Sequence, residues 1–166
     1  MKKINYILVI LLFIVACNKQ KYNNINTFID HYDSYCFSEF TGYTIFIRDK
    51  TLFETVYVLS DYKFDTNNFY YVISKNNITN GIEILQWKNK HNKDISNKKA
   101  IDIIADYNDF NFPYLSVSNN GNFSINPFEI NMKPYLLHLK KSINNETIKE
   151  NSRIYKHYRG NWYLIQ

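Results

Sequence analysis

Near the C-terminus Arg153, Tyr155, His157 and Arg159 recur at every second position. In an extended strand that period puts all four on one face, with Ile154 and Tyr158 on the other. Cationic groups interleaved with aromatic rings suit an anionic or sugar-bearing ligand, through charge-assisted hydrogen bonds and ring stacking. The same pattern also suits an outer sheet face near anionic headgroups with no specific ligand.

The other chemistry-bearing residues are dispersed. His31, His91, His138 and His157 fall in four separate segments, without His-x3-His, His-Glu-x2-His or Cys-x2-Cys spacing. No metal site, cofactor or catalytic residue is therefore expected. Asp102, Asp106 and Asp109 lie at i, i+4, i+7 on a helical segment, where they read as a solvated face. Asp106-x-Asn108-x-Phe110 lacks the fifth-position oxygen ligand and the sixth-position Gly of a calcium loop. Four glycines in the whole chain leave little material for a phosphate-cradling loop. Cys36 extends the stripe Ile25, Ile29, Tyr32 and reads as a buried structural thiol rather than a nucleophile.

The N-terminus is more specific. Lys2 and Lys3 precede an unbroken apolar run, Ile7 to Ala16, which is half the roughly 20 residues a membrane-crossing helix needs and matches a signal-peptide core. The run closes as Ile14-Val15-Ala16-Cys17, followed at once by polar Asn18-Lys19-Gln20-Lys21. This resembles the lipobox of bacterial lipoproteins, over the first tenth of the chain. The resemblance implies removal of residues 1–16, a diacylglycerol on the Cys17 thiol, and acylation of the new amino group by a fatty acid such as palmitate. Two or more acyl chains, at about 0.8 kcal/mol per buried methylene, make a lasting membrane anchor. Asn18 is not the aspartate that signals inner-membrane retention in some Gram-negative lipoproteins, and positions 18–21 lack an acidic run. The resemblance thus points to the cell envelope, and to the periplasmic face of the outer membrane where there are two membranes.

Residues 17–21 then form the lipidated cysteine and a short tether, and 22–166 a single domain. A hydrophobic content of 45%, with 17% aromatic residues, supplies enough apolar surface for a packed core and argues against disorder. Losing Lys2 and Lys3 lowers the formal charge from +5 to +3, without any block of like charges, so no nucleic-acid partner is expected. With Cys17 in the lipid, Cys36 has no internal disulfide partner, and stability must come from packing.

The periodicity predicts a helix over Tyr22 to Tyr35, with Ile25, Phe28, Ile29 and Tyr32 on one face. Four strands follow, at Tyr43 to Arg48, Leu52 to Leu59, Phe69 to Ser74 and Ile82 to Trp87, rich in β-branched and aromatic residues. A second helix, Asn97 to Tyr107, carries an Ile101, Ile104, Ala105 stripe, and Tyr114 to Ser118 pairs with Asn122 to Asn126 through Asn119-Asn120-Gly121. Pro134 to Ile143 fits either period: Leu136, Leu139 and Ile143 suit a helix opened by Pro, while Tyr135, Leu137 and Leu139 suit a strand. We read it as helix. Arg153 to Tyr158 and Trp162 to Ile165 close the chain as a hairpin around Gly160-Asn161.

Short connections between strands favour antiparallel pairing, so the expected fold is α+β, an antiparallel sheet with helices on one side. A helical start, successive strands and a closing hairpin with a late Trp make the pattern similar to NTF2-like and cystatin-like curved-sheet proteins, which include both enzymes and binders. The expected function is a non-catalytic lipoprotein domain that binds an envelope protein or glycan, its oligomeric state left open. Two alternatives stand beside it: an envelope hydrolase pairing His157 with a helix-two aspartate, and an inhibitor or immunity lipoprotein directed at a toxin or phage protein.

Overall fold

The computed structural model describes residues 25–62, 69–89, 95–131, 133–143 and 145–166, so residues 1–16, expected to be a leader, lie outside it with Cys17 and His91. The chain divides into two compact units, Met1–Tyr35 and Cys36–Gln166. In the first, helix α1 (Ile25–Tyr32) buries Phe28, Ile29 and Tyr32, the face its periodicity predicts. Cys36, in the second unit, is exposed, which corrects the buried-thiol expectation. The helix ends at Tyr32, so helical spacing has no meaning at position 36.

The second unit is built on ten strands: β1 (Tyr43–Lys50), β2 (Glu54–Asp61), β3 (Phe69–Asn76), β4 (Ile82–Asn89), β5 (Tyr114–Val117), β6 (Phe123–Asn126), β7 (Leu136–His138), β8 (Thr147–Glu150), β9 (Arg153–Arg159) and β10 (Trp162–Ile165). They form one open sheet in the order β4-β3-β2-β1-β5-β6-β7-β10-β9-β8. Neighbours run antiparallel throughout, and the class is α+β as the short connections predict.

Helix α2 (Asn97–Asn108) covers β2, β3 and β4, capped at its start by the Ser96 hydroxyl, which accepts from the Lys99 amide at 3.1 Å. Its buried stripe is Ala100, Ile103, Ile104 and Tyr107. That is a full i, i+3, i+4, i+7 face, turned from the predicted Ile101, Ile104, Ala105, and it leaves Asp102, Asp106 and Asp109 exposed. Aromatic rings fill this side of the sheet. Phe37 meets Phe110, Phe112 and Phe123 edge-on at 5.4, 6.0 and 4.8 Å, and Phe40 meets Tyr107 at 5.7 Å. The buried phenols find partners: Tyr71 donates to the Ile95 carbonyl at 2.7 Å and Tyr107 to that of Phe112 at 2.8 Å.

The segment from Pro134 to Ile143 holds the short strand β7, Leu136–His138, and no helix, which corrects the helix expectation. β7 is paired on both edges, with β6 and β10, and Leu136, Leu137, His138 and Leu139 are buried in succession, so both its faces are covered as well. A continuous apolar run is the mark of a central strand, and here it outweighs the helical spacing of three leucine and isoleucine positions. The sequence reading also passes over β8. Its only apolar residue is Ile148, and it joins β9 through Asn151-Ser152, both at positive φ (48° and 63°), the backbone of a type I′ turn without the Asn-Gly pair that announces one.

Candidate functional site

Ladder register places Thr44, Ser116, Ser124, Leu137, Tyr163 and His157 in a row across six strands, on the sheet face opposite the α2 side. Two apolar clusters lie on this face. One joins Phe46, Val56, Val58, Val72 and Tyr114, and the other joins Leu137, Leu139, Tyr155 and Tyr163.

Between them the surface is polar and internally bonded. The Thr44 and Ser116 hydroxyls are hydrogen-bonded to each other at 2.7 Å, and they lie 2.8 and 3.1 Å from the Tyr62 carbonyl oxygen, which accepts the remaining proton. Arg153 lies beside the phenols of Tyr114 and Tyr155, and Ser124 lies beside that of Tyr155. Burial holds both phenols above their ordinary pKa, with these neighbours pulling the other way. Tyr62 donates to the Glu150 carboxylate, and burial, reinforced by that carboxylate, raises its pKa as well. Through these contacts β8 and β9 reach β5, β6 and the end of β2 by side chains alone, which is how an open sheet comes to be curled.

The four residues singled out on the closing hairpin therefore divide. Arg153 and Tyr155 face this inner polar cluster. His157 follows them in register but is exposed, its ring edge-on to Tyr163 at 5.2 Å and its Nε2 3.0 Å from the Gly160 carbonyl oxygen. Arg159 is parted from them by a bulge. The register shifts between Trp162 and Tyr163, so Arg159 lies opposite Trp162 rather than continuing the alternation. Elsewhere His31 is exposed on α1, and His138 is buried between Phe123 and Trp162, each ring centroid 4.7 Å away. Among the described residues no group of three or more His, Cys, Asp or Glu side chains could hold a metal ion.

Two clefts open beside the cluster. The larger, of about 760 Å3, is lined by Lys140, Lys141, Lys149 and the amides of Asn120, Asn122 and Asn145, with Ile143 and Ile148 among its apolar lining. The smaller, of about 430 Å3, shares Ile143 and Asn145 with it and adds Lys156 and His157. The carboxylates at hand are Glu146, 3.9 Å from Lys156, and Glu150, bonded to Tyr62, so cations predominate.

The larger cleft owes part of its shape to Gly121, at φ +85°, where an added Cβ would come within 2.8 Å of the Lys140 side chain. The Lys140 amide in turn donates to Asn122 Oδ1 at 3.0 Å, fixing the loop against the β5–β6 turn. The sequence reading missed Lys140, Lys141 and Lys149. The Lys140-Lys141 pair was the available signal, and reading the segment as helix concealed it.

Fold and clefts together define an α+β protein with a curled, open antiparallel sheet and a cationic, amide-rich rim. Compared with known proteins, the chain matches no family model, no curated protein and no solved structure.

Proposed function

We propose that this chain is an envelope lipoprotein, tethered to its membrane through Cys17, whose second unit binds an anionic glycan without altering it chemically. The observation that carries the reading is the pair of contiguous clefts, where four lysines and a histidine stand among asparagine amides. Ammonium groups neutralise carboxylate or phosphate, and primary amides both donate to and accept from sugar hydroxyls. Lys140, Lys141, Lys149 and His157 contact the ligand in this account, Arg159 has no part in it, and Arg153 and Tyr155 hold β9 in place from within. Binding is favoured over hydrolysis because His157 bonds to Gly160 rather than to an aspartate, and the inner phenols are held protonated by burial.

The test is retention of the detergent-solubilised mature chain by an immobilised polyuronate, with neutral dextran as the control. The account predicts polyuronate-specific retention that weakens with salt and falls by about tenfold in a Lys140→Ser/Lys141→Ser/Lys149→Ser variant, a loss of about 1.4 kcal/mol shared by three exposed charges. Equal retention on both matrices, or none on either, would overturn it.

A further inference from the structure

Two turns meet at one end of the sheet. Residues 51–53 link β1 to β2, residues 77–81 link β3 to β4, and Asn77 clasps them together. Its amide donates to the Phe53 carbonyl at 2.8 Å, its Nδ2 donates to that of Thr51 at 3.1 Å, and its Oδ1 accepts from Thr55 at 3.1 Å. Each turn is also fixed from inside, by Thr51 Oγ1 accepting from the amides of Phe53 and Glu54 and by Asn76 Oδ1 accepting from those of Ile78 and Thr79. On these braced turns stand Leu52, Phe53 and Ile78, with 87%, 64% and 69% of their surfaces exposed.

We propose that the paired turns insert Leu52, Phe53 and Ile78 into the interfacial layer of a lipid bilayer. Three large apolar side chains on braced turns expose far more apolar surface than water favours, and inserting them orders little that is not already ordered. Residues 51–53 and 76–82 carry no charge, and of the polar side chains beside the apolar three Thr51, Asn76 and Asn77 are engaged in bracing the turns, while Phe53 lines a cleft with Glu54 and Glu83. In the adjoining strand ends Arg48, Lys50 and Lys75 are balanced by Asp49, Glu54 and Glu83, so a zwitterionic surface neither repels nor specifically attracts the tip.

The opposite end of β1 adjoins the basic clefts: the Gly42 amide donates to the Val117 carbonyl at 2.8 Å, next to the Asn119-Asn120 turn. β1 spans about 25 Å, so a tip set in a bilayer holds the clefts away from it. The proposal needs no lipid on Cys17.

The mature full-length chain, in a Trp87→Phe background, is mixed with vesicles of phosphatidylcholine brominated on its acyl chains. Phe53→Trp places a reporter at the tip, Asn119→Trp places one at the far end, and Trp162, fully buried, gives a constant background. The proposal predicts a blue shift and loss of about half the added emission for Phe53→Trp at an insertion depth of about 5–10 Å, unchanged by salt, and no quenching for Asn119→Trp. Adding Leu52→Asn and Ile78→Asn should abolish the quenching. Equal quenching at both positions, or none at position 53, would overturn the proposal. The mass of the Cys17 peptide is read separately: quenching at position 53 with a bare Cys17 retains the tip and ends the anchor reading.

Discussion

The phenol of Tyr62, just beyond β2, donates a hydrogen bond to the Glu150 carboxylate at the end of β8, joining strands that are far apart in the sheet order. Among the described residues no ladder closes the sheet between them, so this bond and the approaches of Arg153 to Tyr114 and of Tyr155 to Ser124 maintain the curl.

Tyr62→Phe should therefore destabilise the chain by about 1–2 kcal/mol, the lower part of the range for bonds to charged groups, because Glu150 is only partly buried and can rehydrate. Urea unfolding measures it. Glu150→Gln, which keeps an acceptor, should cost less. An unchanged urea midpoint in Tyr62→Phe would show that the curl does not depend on this bond.

Alkali should unfold the protein more readily than acid-base chemistry at the surface would suggest. Burial pushes the Tyr57 phenol up to about 12, against a pull downward from Thr55, and burial also raises Tyr107, Tyr114 and Tyr155. A folded-state pKa above the unfolded one gives stability that is complete below about pH 10 and is lost as pH climbs through the folded value. The urea midpoint should be level at neutral pH and fall steeply between about pH 10 and pH 12. A midpoint that stays level across that window would contradict the burial of these rings.

Gly121 and Gly160 both have positive φ, but only Gly121 has a neighbour in the way, since nothing lies within 4 Å of a Cβ added at Gly160. Ala at either position carries the backbone cost of about 1–2 kcal/mol. Gly121→Ala should in addition displace Lys140 and weaken polyuronate retention, whereas Gly160→Ala should leave retention intact. Equal effects on retention would remove Lys140 from the binding account.

Most of the architecture was legible because the strands of β1 to β4 and the hairpin of β9 and β10 carry β-branched and aromatic runs between Asn- and Gly-rich turns, and each run has one dominant period. Two of the places where reading failed concern whole elements, and both are physical in origin. Around Leu136 both periods coincide, and only the flanking partners β6 and β10 decide between them. β8 takes its strand character from pairing with β9, having little apolar surface of its own. The candidate site was legible in part: Arg153, Tyr155 and His157 follow the alternation, Arg159 is parted from them by a bulge that no local signal announces, and the lysine rim depends on a loop packed against a turn distant in sequence.

Intact-mass and N-terminal peptide analysis of the protein taken from the cells that make it tests the account at its root. The account predicts a chain that begins at residue 17 and carries acyl groups on both the sulfur and the terminal nitrogen. A chain with residues 1–16 still attached, or with an unmodified thiol at Cys17, would contradict it.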